Sequence, residues 1–310
     1  TDYLSYHELP RVLDPPSGWL QNANDPPWTS TFPAALDPAR YPPFLAPQFM
    51  HFRAQQSASL LAADQSISFE ELVAYKHWTV MLLADRLVDD LVAAAREHGS
   101  ATARAAAEVL AEWDRTADAD SRGAVLFERW AERMELGRTA FLLDEGSRQL
   151  MRETFVKPWD PGAPFTTPAG LKDPERASAV LDAVAREIVD EYGTLSVAWG
   201  EVHRLRYGGW DLPANGGDGD PTGLFRTAWF GPSEAGVDTV VGGDAFYAAV
   251  EFSQPVRARV LLAYGNATRE GSPHVGDQIE SFARKEMRAP WLTRAEVEAH
   301  LESRETVRAR

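Results

Sequence analysis

Asp14-Pro-Pro-Ser-Gly-Trp-Leu-Gln-Asn-Ala-Asn-Asp-Pro-Pro-Trp28 is the stretch around which the chain reads as organised. Pro15-Pro16-Ser17-Gly18 predicts one turn and Pro26-Pro27 a second. The residues between them, 19–23, read as a short strand. Side chains two apart in a strand point the same way, which would place Asn22 and Asn24 on one face. Carboxamides held at a strand end by prolines are suited to stabilising a developing negative charge.

Working outward, prolines at 10, 15, 16, 26, 27, 33, 38, 42, 43 and 47 rule out a long helix over residues 1–50. Beyond 51 the pattern turns helical. Ser68-Phe-Glu-Glu71 reads as a capping box. Phe69, Val73, Val80, Leu83, Leu87 and Leu91 then mark one face of a single amphipathic helix ending near His98-Gly99. Further helices are expected over 102–113 and 123–141. Pro158, Pro161, Pro164 and Pro168 mark a linker. Asp173-Pro174 opens a helix that Gly193 stops. Residues 199–205 read as extended, 213–223 as a flexible glycine-rich loop, 246–252 and 258–264 as strands, and Thr293-Arg-Ala-Glu296 as the cap of a last helix. The class is α+β, a helical block inserted between sheet segments. Residues 1–50 form the loop and strand segment carrying Asn24, 51–155 the helical region, and 156–310 the linker, helix and C-terminal strands.

The formal charge of −15 on 310 residues disfavours nucleic acid as a partner. Zero cysteines exclude disulfides, thiolate zinc sites and a cysteine nucleophile. No apolar run is long enough to span a bilayer. Asn215-Gly-Gly-Asp-Gly-Asp220 is not an EF-hand, because Arg226 or Trp229 stands where a twelfth-position glutamate is needed. No metal and no cofactor are expected. His203 and His274 read as structural groups, Asp277 and Gln278 as fixing the loop after Tyr264, and Asp85, Asp89 and Asp90 as a solvated helix face.

Ser17-Gly-Trp-Leu-Gln-Asn-Ala-Asn-Asp-Pro-Pro27 resembles the penicillin amidase family of N-terminal-nucleophile acylases. Trp113-Asp-Arg with Ser121-Arg-Gly-Ala, Trp199-Gly-Glu-Val-His203 and Leu212-Pro-Ala-Asn-Gly-Gly217 resemble further blocks of that family. So do Gly243-Asp-Ala-Phe-Tyr, Tyr264-Gly-Asn-Ala and Ser272-Pro-His-Val-Gly-Asp-Gln278. Their shared order over nearly the whole chain gives the resemblance its weight. The variant is nearer to acylases for aculeacin and acyl-homoserine lactones than to those for penicillin G.

The resemblance implies the C-terminal portion of an Ntn-hydrolase αββα β subunit. It also implies amide hydrolysis by a serine at the start of that subunit, with the serine's own α-amino group as base. The family stabilises the oxyanion with an asparagine side chain plus a backbone N–H, and the matching residue is Asn24. Arg53 in His51-Phe-Arg-Ala-Gln matches an arginine that orients the nucleophile region. Trp19, Trp28 and Phe32 flank the proposed oxyanion site. Core packing is their default role and an acyl-pocket wall the functional alternative.

In the family this asparagine stands far downstream of the nucleophile, whereas 23 residues precede Asn24 here. The nucleophile is therefore expected outside this chain. The expected partners are the nucleophile segment and α subunit of the same acylase, with an N-acyl small molecule or lipopeptide as substrate. The family implies a periplasmic or secreted location and a role in antibiotic biosynthesis or quorum quenching. The competing reading is an inactive fragment, or a structural and binding half without catalysis.

Overall fold

A computed structural model describes residues 3–136, 152–231 and 234–308. The helical block is α1 (Phe52–Ala63), α2 (Phe69–Lys76), α3 (Leu82–His98), α4 (Ala101–Glu112) and α5 (Ala124–Arg133). The Ser68–Glu71 capping box forms as its residues predict. The single helix expected from 68 to 98 is in fact two. Residues 77–81 leave the helix to pair with the segment after α4: Met81 N–H donates to Arg115 O at 2.8 Å, and Ala117 N–H to Thr79 O at 2.8 Å. Two β-branched residues, Thr79 and Val80, favour that extended pairing. Part of the helix expected over 123–141 lies outside the described residues.

The proline linker is a closed loop. Strands β1 (Phe155–Lys157) and β2 (Ala169–Leu171) flank it and pair antiparallel. Helix α6 (Pro174–Tyr192) starts at the Asp173 cap and stops at Gly193, whose φ of +75° suits a residue without Cβ. It packs with α3, α4 and α5 around one core that includes Leu87, Leu91, Trp130 and Leu181.

The extended run expected over 199–205 divides into a helical turn, α7 (Trp199–Val202), and strand β3 (His203–Tyr207). Gly208 and Gly209, both at positive φ, turn β3 into β4 (Trp210–Pro213). With β5 (Ala228–Phe230) and β6 (Asp238–Gly243) they form a sheet of order β4-β3-β6-β5, in which β3 and β6 run parallel. The two strands expected near the C-terminus form as β7 (Phe246–Glu251) and β8 (Arg257–Leu262), paired antiparallel. Two short helices close the fold, α9 (Ile279–Ala283) and the Thr293-capped α10 (Arg294–Ala299). The fold is thus α+β.

Two further expectations need correction. The strand over 19–23 does not form. Asp25, 8% exposed, instead gathers Ala23 N–H (2.7 Å), the Gln21 amide (2.8 Å) and the Thr29 hydroxyl, and Gln21 N–H donates to Ser30 O at 2.8 Å. These local bonds satisfy backbone groups that a strand would have left for a neighbour. Asn22 and Asn24 therefore do not share a strand face. Second, the 213–223 loop is packed rather than flexible: Asn215, Asp220 and Thr222 are buried, and Gly219–Thr222 forms a helical turn, α8. The acidic face of α3 is solvent-exposed as expected, with Asp85, Asp89 and Asp90 all exposed, and it also carries surface pairs. Arg115 pairs with Asp85 and Asp89, and Asp90 accepts from Leu171 N–H.

Candidate functional site

Asn24 sits exposed at the tip of the Asp25-centred loop, in the left-handed region at φ +67°. Asn22 Oδ1 accepts from its N–H at 3.0 Å and holds the tip. Arg53, in the first turn of α1, donates from Nη2 to Asn24 Oδ1 at 2.9 Å. A guanidinium only donates, so it fixes the carboxamide's orientation: the oxygen faces Arg53, and the two N–H donors of Nδ2 lie on the side away from it. The same guanidinium donates from Nε to Asp220 Oδ1 at 2.5 Å.

His51 is the N-cap of α1, accepting from Ala54 N–H at Nδ1 (3.4 Å). That nitrogen also lies 3.4 Å from Asp220 Oδ1. Burial lowers the His51 pKa, with the Arg53 cation acting the same way against the pull of Asp220. A neutral His51 offering a lone pair to Ala54 leaves Asp220 to Arg53. Asp218 stands beside them with Oδ1 buried and unpartnered among the described residues. Burial, and then the charge of Asp220, push its carboxyl up to about 6.

The aromatic candidates separate. Trp19 and Phe32 pack on a small core of Ala23, Met50, Ala54 and Ala58, together with Trp159 and Phe165. The Phe32 and Phe165 rings meet edge-on at 4.9 Å. Trp28 points elsewhere, donating to Pro47 O at 2.8 Å and lining a groove of about 450 Å³ with Tyr41 and Pro42. His203 is buried, stacked on Trp199 at 3.6 Å, and its Nε2 lies 3.1 Å from Glu128. His274 pairs with Asp277 on the surface, and Gln278 accepts from Leu262 N–H.

The blocks that carry the family resemblance meet in space. Asn215 accepts from Ala119 N–H (2.8 Å) and donates to Ala283 O (2.7 Å), while Trp199 donates to Gly216 O at 3.1 Å and Trp113 to Ser121 Oγ at 2.8 Å. The family model described as penicillin amidase matches residues 1–299. The chain belongs to the penicillin amidase family.

Within this family it is 28% identical over 302 residues to acyl-homoserine lactone acylase PvdQ of Pseudomonas putida, covering 93% of this chain and 36% of that protein. It is 29% identical over 324 residues to aculeacin-A acylase of Actinoplanes utahensis, covering 94% of this chain and 38% of that protein. Thermostable penicillin G acylase from Alcaligenes faecalis shares the fold. The TM-score is 0.53 at 16% identity, over 99% of this chain and 60% of that one. The chain thus spans well under half the length of these curated relatives. No helix among the described residues is long and apolar enough to cross a membrane.

The residues missed from sequence are the supports: Asp25 for the loop, and Asp220 and Gly219 for Arg53. A Cβ at Gly219 would stand 2.5 Å from Arg53 Cδ, so the glycine makes room for the arginine. For Asp220 and Gly219 the only signal was a glycine-rich run that reads equally well as a turn.

Proposed function

We propose that this chain is part of an acylase that cleaves an N-acyl amide by nucleophilic acyl transfer. Asn24 supplies a side-chain donor to the tetrahedral oxyanion, and Arg53 orients it. The observation that carries this reading is the Arg53–Asn24 contact in a member of an acylase family. It engages the carboxamide oxygen and leaves the Nδ2 donors for a group other than Arg53.

A preorganised donor acts without reorganising as charge develops, which is why a single amide contributes measurably to rate. The nucleophilic serine and the α subunit lie on segments outside this chain. Together they complete an αββα arrangement in which residues 1–50 bring the donor, 51–155 the helical region, and 156–310 the linker, helix and C-terminal strands. Trp19 and Phe32 contribute apolar surface to the acyl side, Trp28 lines the separate groove beside Tyr41, and the substrate is an N-acylated small molecule or lipopeptide.

The test is release of amine from a chromogenic acyl amide by the full-length gene product. Asn24→Ala is expected to lower kcat by about 10²–10³-fold, or about 2.7–4 kcal/mol, with folding intact. Undiminished turnover in that variant, or no hydrolysis by the processed wild-type protein, would overturn the reading.

A further inference from the structure

We infer that Asp220 is a positioning residue for the donor at Asn24, acting through Arg53; this rests on the acylase reading above. Arginine has a long side chain with many rotamers, and one hydrogen bond to an exposed carboxamide does not select among them. Arg53 has a second anchor. Its Nε–H meets Asp220 Oδ1 at 2.5 Å while Nη2–H meets Asn24 Oδ1 at 2.9 Å. Nε and Nη2 share one edge of the rigid guanidinium plane, so fixing one fixes the direction of the other.

Asp220 can serve as the fixed end because it is itself immobile. It is 5% exposed and sits in the α8 turn, which Gly223 N–H closes by donating to Gly219 O at 2.7 Å. Gly219, directly before it, admits the Arg53 stem; any side chain there would collide with Arg53 Cδ and with Leu224 O, each at 2.5 Å. The neutral His51 beside Asp220 adds no second cation to compete for the carboxylate. The outcome is a rigid line from a buried carboxylate to an exposed amide. It joins residues 167 apart in sequence and then 29 apart.

A residue acting only through Asn24 makes a specific kinetic prediction. In the full-length processed protein, Asp220→Asn is expected to lower kcat about 10–50-fold with KM changed less than about twofold. A carboxamide accepts more weakly than a carboxylate and lets Arg53 swing. In an Asn24→Ala background the same change is expected to lower kcat by no more than about twofold, because the group it positions is gone.

A merely structural Asp220 would instead multiply its loss with that of Asn24→Ala, and that result overturns the inference. So does an Asp220→Asn variant with wild-type kcat while Asn24→Ala is impaired. If Asn24→Ala itself retains full activity, the oxyanion reading fails first and the inference with it, a pattern distinct from the other two. Should Asp220→Asn fail to accumulate as processed protein, Arg53→Lys carries the same cycle. It keeps the charge but cannot span both oxygens, and the same non-additivity with Asn24→Ala is expected.

Discussion

Two arginines tie distant parts of this chain together, and they do it in opposite ways. Arg226 is 0% exposed. Its donors go to His77 Nδ1 (2.6 Å), Phe282 O (2.5 Å) and Asn215 O (3.3 Å), and its guanidinium lies 4.3 Å from the Phe282 ring centre. Those partners are neutral, and His77 is kept so by burial first and then by the Arg226 charge, which together hold its pKa down at about 3. Arg53 has a side chain 15% exposed, one end on a buried carboxylate and the other on an exposed amide. Arg226 spends its donors sealing the joint between the helical block and the C-terminal strands. Arg53 uses one donor to aim a group that faces outward. A buried guanidinium is therefore no guide to function by itself; the group at its far end decides.

The comparison breaks most visibly at Arg226. Arg226→Met removes the donor to three buried acceptors and is expected to cost about 3–5 kcal/mol of stability in urea unfolding, with kcat per folded molecule unchanged. Asn24→Ala is expected to do the reverse. If Arg226→Met instead lowers kcat at constant stability, the division between the two arginines is wrong.

A smaller effect comes with acid. The folded pKa of His77 lies below its ordinary 6.5, so the unfolded chain takes up the proton first as pH falls. The stability tied to this group is complete above pH 6.5 and is lost as pH drops toward 3, by up to about 1.4 kcal/mol per pH unit. Urea midpoints at pH 7 and pH 5 measure this. A slope left unchanged by His77→Gln would sink the assignment.

Asp218 works with the opposite sign and the smallest magnitude. Its folded pKa of about 6 exceeds its ordinary 3.8, so its contribution is most favourable below about pH 4 and declines as pH rises to 6. Asp218→Asn is expected to stabilise the protein by about 1–2 kcal/mol at pH 8 and to match the wild type at pH 4. Equal stability of the two proteins at pH 8 would show that the carboxylate is better solvated than its burial indicates.

What could be read from sequence follows the range of the interaction involved. Ser68 with Glu71, Thr293 with Glu296, and Asp173 before Pro174 are caps made by residues three or fewer apart, and each forms as written. The break at 77–81 was not legible, because Arg115, Thr116 and Ala117 set it from another segment. The loss of the 19–23 strand has a different cause. Alternation alone does not reveal that Asp25 will satisfy the same backbone locally. The family motif singles out Asn24 and Arg53, and the structure shows only that the two are hydrogen-bonded to each other. Asp220 was hidden, since nothing within the glycine-rich run points to a partner 167 residues away.

The backbone at Asn24 has one more implication. A φ of +67° is tolerated by glycine, asparagine and aspartate and strains most other residues. Arg53 adds a second filter, since it requires an acceptor, which glycine lacks. The proposed donor role adds a third, since aspartate would place a like charge beside the oxyanion. Asparagine alone passes all three. A practical corollary follows for mutagenesis: Asn24→Gly relieves the backbone where Asn24→Ala strains it, so the pair separates the cost of the missing amide from the cost of the twisted chain.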